Sequence, residues 1–126
     1  MKLVYQRQNG DCVVAAVATL AGRSWREVRV VAGSTRYGLD RTETRQLLDE
    51  FGCSHSYSSP RNRPTPGEWV ARNLKSRAIL IIRYADSTQA DHAMVAYDGI
   101  LHDPARNPDA DCYVTEVYRL LSGAKK

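Results

Sequence analysis

No uninterrupted apolar stretch in the sequence approaches the ~18 residues that a membrane-spanning helix requires, so no span and no membrane partner are expected. Cys-x-x-Cys pairs are missing, and His55, His92 and His102 stand at no spacing typical of zinc ligands; no metal and no other cofactor is expected. Three cysteines, Cys12, Cys53 and Cys112, are an odd number, which excludes a complete intramolecular disulfide framework and points to a reducing, cytoplasmic setting. Long basic runs are missing too: 14 Arg and 4 Lys give a net charge of +4, yet nowhere do more than two basic residues follow one another. With no Gly-rich phosphate loop, zinc knuckle or aromatic-and-basic strand pattern, this is a mildly basic surface, and no nucleic-acid partner is expected. Internal repeats and linkers are absent.

What is present is an ordinary globular composition, 43% hydrophobic and 25% charged over 126 residues, which predicts one domain over residues 1–126. A chain of this size buries roughly two-thirds of its unfolded surface, enough for a core and a cleft. Lys2 and Arg7 ahead of the apolar run Val13 to Ala21 imitate a secretory signal. The polar residues Gln6, Arg7, Gln8, Asn9 and Asp11 directly before that run argue against one.

Gln8-Asn9-Gly10-Asp11 is turn chemistry, and Cys12 to Ala21, apolar on every face and followed by Gly22, predicts a helix buried on all sides. Ser24 with Glu27 opens a second helix from Trp25 to about Ala32, which Gly33 stops; Ser34 to Gly38 reads as a loop. Asp40 with Glu43 opens a third, whose inner stripe is Thr44, Leu47, Leu48 and Phe51 and which Gly52 ends. Cys53 to Tyr57 is a weakly signalled strand, and Thr65-Pro66-Gly67-Glu68 starts a short helix to about Leu74. The second half turns to strands: Ala78 to Ile82, then Ala93 to Tyr97 joined through Asp98-Gly99 to Ile100 to Asp103, and finally Cys112 to Leu120. Ala85 to Asp91 and Pro104 to Asp111 read as loops, and Ala124 to Lys126 as a frayed tail. Helices first and antiparallel strands afterwards predict an α+β fold.

One constellation carries chemistry. Hydrolysis of an amide by a thiol needs a cysteine held as thiolate, a histidine to move the proton, a group that fixes the histidine, and a donor for the oxyanion. Cys12 stands at the predicted start of an apolar helix, where backbone N–H groups and the helix dipole favour an anion. Gln6, six residues earlier, can return across the turn and offer its side-chain amide beside the Cys12 backbone N–H. His92 stands directly before the strand Ala93 to Tyr97. In a two-residue hairpin around Asp98-Gly99, Tyr97 faces Ile100, which brings Asp103 opposite position 94, two residues from His92 along the ladder.

These residues resemble a known family. Gln6 ahead of Asp11-Cys12, a small-residue helix, Tyr37-Gly38-Leu39 before a Leu-rich helix, Ala78 to Ile82, His92 before an apolar strand, and Asp103-Pro104-Ala105 look like the bacteriocin-processing, double-glycine-leader cysteine peptidases of the papain-like superfamily. The resemblance runs from about Leu3 to Asn107 and implies N-terminal helices packed on a C-terminal antiparallel sheet. It implies Cys12 as nucleophile, His92 as general base and acid, Asp103 as the orienting carboxylate and Gln6 as the oxyanion donor. It further implies a bacterial or phage protein that acts on a peptide or protein substrate, as a stand-alone domain where most of the family is fused to a transporter. The chain departs from the family at Val13, where a glycine commonly follows the cysteine.

The expected function is therefore a thiol-dependent hydrolase of peptide or isopeptide bonds, and the alternative is a catalytically silent or partner-dependent binding module of the same fold. Each residue also has a plainer reading. Cys12 can be a small buried hydrophobe, His92 a satisfied strand-end histidine, and Asp103 a turn cap with Asp91 or Asp98 in its catalytic place. Gln6 can be an ordinary strand residue, with Gln8 as the other donor. Cys53 and Cys112 are expected in the core, His55 and His102 at the surface, and Trp25 and Trp69 as core contacts of their helices.

Overall fold

A computed structural model describes residues 3–7, 11–33, 38–85, 91–103 and 111–121. The helices are α1 (Cys12–Ala21), α2 (Trp25–Ala32), α3 (Arg41–Glu50) and α4 (Pro66–Arg72). The strands are β1 (His55–Ser58), β2 (Arg77–Tyr84), β3 (His92–Tyr97), β4 (Ile100–His102) and β5 (Cys112–Leu120). They form one antiparallel sheet in the order β1-β5-β2-β3-β4. The turn at 8–10, the loops at 34–37, 86–90 and 104–110, and the tail beyond Leu121 lie outside the described residues.

Local sequence rules account for most boundaries. Ser24, Asp40 and Thr65 each accept from the backbone N–H three residues on, while Glu27, Glu43 and Glu68 reach back to the cap amide, so α2, α3 and α4 all begin in complete capping boxes. Gly22 ends α1 in the left-handed region at φ 69°. Helix α4 stops at Arg72, short of the expected Leu74, because the Asn73 side-chain amide donates to the Trp69 carbonyl at 2.7 Å and Asn73 leaves helical φ. Strand β2 runs longer than its apolar stretch, to Arg77 and Tyr84, because β3 and β5 both pair with it. The β3–β4 turn holds Asp98 and Gly99 at φ 49° and 87°, a two-residue hairpin with Tyr97 opposite Ile100 and Val95 opposite His102, the expected register.

The sheet is covered on both faces. On one, α1 lies over β3 and β2 with α2 and α3 beside it, and Val14, Val17, Val28 and Leu48 meet Ile79, Val95 and Tyr118. Ala15, Ala16 and Ala18 of α1 are fully buried; their small side chains let the helix approach its neighbours closely. On the other face, Trp69 and Val70 of α4 pack with Leu80, Ile82, Met94 and Val117. Each fully buried Val or Leu contributes about 1.5–3 kcal/mol, so the first of these layers holds α1 against β3 and β2, near where the chemistry gathers.

Candidate active site

The site is built at the start of α1 and the start of β3. Cys12 is the first residue of α1 and is half-buried. His92, paired with Ile82 of β2, is the first residue of β3 and only 9% exposed. Asp103 directly follows β4, and its Oδ1 lies 2.6 Å from His92 Nε2, both side chains almost wholly enclosed. The hairpin register supports this pair: with Val95 opposite His102, Asp103 falls opposite Met94, two residues along β3 from His92.

Burial of His92 opposes its charge. Against that, the hydrogen bond that its ring N–H donates to Asp103, the hydrogen bond to the Cys12 side chain and the field of both groups prevail, and its pKa rises from 6.5 to about 9. The imidazole therefore links the carboxylate to the sulfur and remains protonated at neutral pH. Tyr84 packs beside it, the rings nearly parallel at 21° with centroids 6.4 Å apart. Cys112 lies opposite Tyr84 in the β2–β5 ladder, and its thiol is pushed up by burial and by the charges of Asp103 and Asp111. Tyr84 and Cys112 thus belong to the surroundings of the site. Sequence reading missed Tyr84 because the apolar stretch of β2 ends at Ile82, and it placed Cys112 in the core, where the residue only borders the second apolar layer.

Gln6 lies half-buried in the N-terminal segment 3–7 and lines, with Tyr5, Arg7 and Trp25, a groove of about 600 Å³. That segment is fixed on both sides of Gln6. The Val4 amide donates to Thr19 Oγ1 at 2.9 Å, and His102 Nε2 donates to the Val4 carbonyl at 3.2 Å. Further along, the Arg7 amide donates to Asp11 Oδ2 at 2.9 Å. Asp11 is fully buried, and the same oxygen accepts the indole N–H of Trp25 at 2.6 Å. Asp11 as an anchor was not legible in the sequence, where it reads as part of the turn Gln8-Asn9-Gly10-Asp11.

The other candidates fall elsewhere. Asp91 is paired with Arg83 at 3.3 Å and Asp98 with Arg77 at 3.4 Å, which leaves Asp103 as the carboxylate bonded to His92. Gln8 lies outside the described residues. Cys53 is buried, its thiol pushed up by that burial. Two histidines expected at the surface are inside. His102 is 6% exposed because it ties β4 to the N-terminal segment and meets the Tyr5 ring edge-on at 4.9 Å. The His55 side chain is 2% exposed; its Nδ1 bonds the Cys53 carbonyl at 2.9 Å while Arg45 Nε donates to its Nε2 at 3.1 Å. Trp69 is a core residue as expected, whereas Trp25 packs only partly on the core and uses its N–H at Asp11.

Among the described residues no group of His, Cys, Asp and Glu converges as metal ligands would, and no helix is long and apolar enough to cross a membrane. All three cysteines are free thiols. What the arrangement offers chemically is a thiol in contact with a charged, carboxylate-bound imidazole at a helix start.

No protein-family model and no curated protein matches the sequence. Among solved structures, the chain is similar to the peptidase domain of Streptococcus ComA, a bi-functional ABC transporter involved in a quorum sensing pathway. The two superpose with a TM-score of 0.64 over 94% of this chain and 97% of that one, at 14% sequence identity. The chain thus has the α+β, papain-like fold of that peptidase domain, N-terminal helices packed on an antiparallel sheet.

Proposed function

We propose that this protein is a thiol-dependent hydrolase of peptide or isopeptide bonds, with Cys12 as nucleophile, His92 as proton carrier, Asp103 as orienting carboxylate and Gln6 as oxyanion donor. The observation that carries the reading is the buried His92, bonded to Asp103 at 2.6 Å and held charged by Asp103 together with the nearby Cys12 side chain. The likeness to a peptidase domain supports it at the level of the fold.

In this mechanism the Cys12 sulfur attacks the carbonyl carbon of the scissile amide, and the C–S bond forms as the carbonyl oxygen takes up the negative charge. The Gln6 side-chain amide and the Cys12 backbone N–H donate to that oxygen. His92, protonated through its bond to Asp103, gives its proton to the nitrogen as the C–N bond breaks, and the amine leaves. His92 then takes a proton from water, which attacks the thioester carbonyl, and the C–S bond breaks to release the acid and return Cys12. Asp103 holds one ring nitrogen throughout, so the other stays aimed at the sulfur.

The test is site-resolved alkylation by iodoacetamide across pH in wild type and His92→Ala, read by mass spectrometry. Cys12 is expected to react at pH 6 in the wild type, ahead of Cys53 and Cys112, and to lose that reaction in the variant. A Cys12 that is inert in both proteins, or whose reaction is the same in both, overturns the reading in favour of a binding module.

A further inference from the structure

Helix α1 breaks a rule that the other helices keep. Its N-cap residue is Asp11, among the best of capping residues, yet the Asp11 side chain makes no capping hydrogen bond, and its φ and ψ of −104° and 20° lie outside the extended region that a cap adopts. Ser24, Asp40 and Thr65 are extended and sit in full capping boxes. The carboxylate of Asp11 is turned instead to two donors that share its Oδ2: the backbone N–H of Arg7 at 2.9 Å and the indole N–H of Trp25 at 2.6 Å. The Arg7 guanidinium lies over the Trp25 ring at 5.3 Å, so the same three residues are joined a third time.

The placement of this cluster is specific. Arg7 adjoins Gln6, and Asp11 adjoins Cys12, so one oxygen atom joins the immediate neighbours of the two residues proposed to hold the oxyanion. Trp25 supplies the fixed end, because the Ser24–Glu27 capping box anchors the start of α2 from which its indole projects. A carboxylate in the ordinary capping position would also bring negative charge to the first turn of α1, beside the developing oxyanion.

We infer that Asp11 and Trp25 are positioning residues for the oxyanion side of the site, a buried carboxylate–indole clamp that sets the distance between Gln6 and the Cys12 amide. The inference rests on the hydrolase reading above and deepens it. Neither residue touches the substrate or the reacting atoms; the clamp acts through the two residues that do. Oxyanion donors are productive only within a narrow range of distance, so a small relaxation of this clamp slows acyl transfer while leaving the thiol–imidazole pair intact.

Two probes of Cys12 separate these effects. p-Nitrophenyl acetate acylates a thiolate through an oxyanion: the C–S bond forms, the C–O bond breaks, and p-nitrophenolate leaves. Iodoacetamide alkylates the same sulfur by displacing iodide, with no oxyanion formed. Trp25→Phe keeps the ring and removes the N–H. It is expected to slow acylation of Cys12 about tenfold while alkylation stays within about twofold of wild type. Asp11→Asn, which keeps an oxygen to accept both hydrogen bonds, is expected to acylate faster than Asp11→Ala. Should Asp11→Ala fail to fold, Trp25→Phe alone decides the matter. Acylation at the wild-type rate in Trp25→Phe, or acylation and alkylation falling together, overturns the clamp and leaves the hydrolase reading standing. A wild-type Cys12 that takes up neither probe ahead of Cys53 and Cys112 overturns both.

Discussion

His92 and Asp103 stand at the two free ends of one β-hairpin, and their side chains close the ladder with a 2.6 Å contact between Nε2 and Oδ1. The turn at Asp98-Gly99 sets this register, so the pair that governs the imidazole is assembled within a single supersecondary unit. Cys12 is brought to it by the packing of α1 on β3 and β2.

Removing the proposed nucleophile separates catalysis from folding. Cys12 is half-buried at a helix start, and Cys12→Ala deletes one sulfur atom from a site with a solvent-facing side. Turnover of an amide substrate is expected to vanish, with a loss of stability of about 1 kcal/mol or less in urea denaturation. Residual turnover at the wild-type rate rules Cys12 out as the nucleophile.

The carboxylate is expected to matter less for turnover than the imidazole. Asp103→Asn keeps a hydrogen-bonding group beside His92 but loses the charge, whereas His92→Ala removes the proposed proton carrier itself. Rates of amide hydrolysis should therefore fall in the order wild type, Asp103→Asn, His92→Ala. Equal rates for the two variants would argue that Asp103 does not orient the ring.

The raised pKa of His92 fixes the sign of two pH effects. Its folded value of about 9 exceeds the ordinary 6.5, so the stability contributed by the charged ring is full below pH 6.5 and is lost as pH rises through about 9. Asp103→Asn is expected to cost on the order of 3 kcal/mol at pH 7, and the gap from wild type should narrow by pH 10, where the ring is neutral in both proteins. Urea midpoints at the two pH values measure this; a gap that widens with pH contradicts the assignment.

Activity should follow the same group. In the proposed mechanism a His92 that has lost its proton cannot protonate the leaving amine, so the rate is expected to fall as pH passes about 9. Asp103→Asn should move that alkaline limb downward, and an unmoved limb assigns it to another residue.

On the far face of the sheet, Trp69 is 6% exposed and seals α4 over Leu80 and Met94. Trp69→Ala is expected to cost about 3–5 kcal/mol in denaturant unfolding. A loss below about 1 kcal/mol would mean that α4 is not part of the cooperative core.

Several features of this molecule were legible from residues a few places apart, because a helix cap, a helix stop and a hairpin turn are decided by interactions that span four or five positions. The Ser24–Glu27, Asp40–Glu43 and Thr65–Glu68 pairs open helices where their spacing says they should, and Asp98-Gly99 sets the register that joins His92 to Asp103. The short-range rule failed where a long-range partner outbid it. Asp11 reads as a turn residue, but Trp25 and the Arg7 amide take its carboxylate. His55 and His102 look like surface residues, but Cys53, Arg45 and Val4 satisfy them inside. The order of the strands, with β5 between β1 and β2, carries no local signal, and with it came the position of Cys112 opposite Tyr84. Sequence alone therefore determined the elements and the His92–Asp103 hairpin. Only the packing of α1 on the sheet, driven by burial of its apolar surface between distant segments, decided that Cys12 meets them.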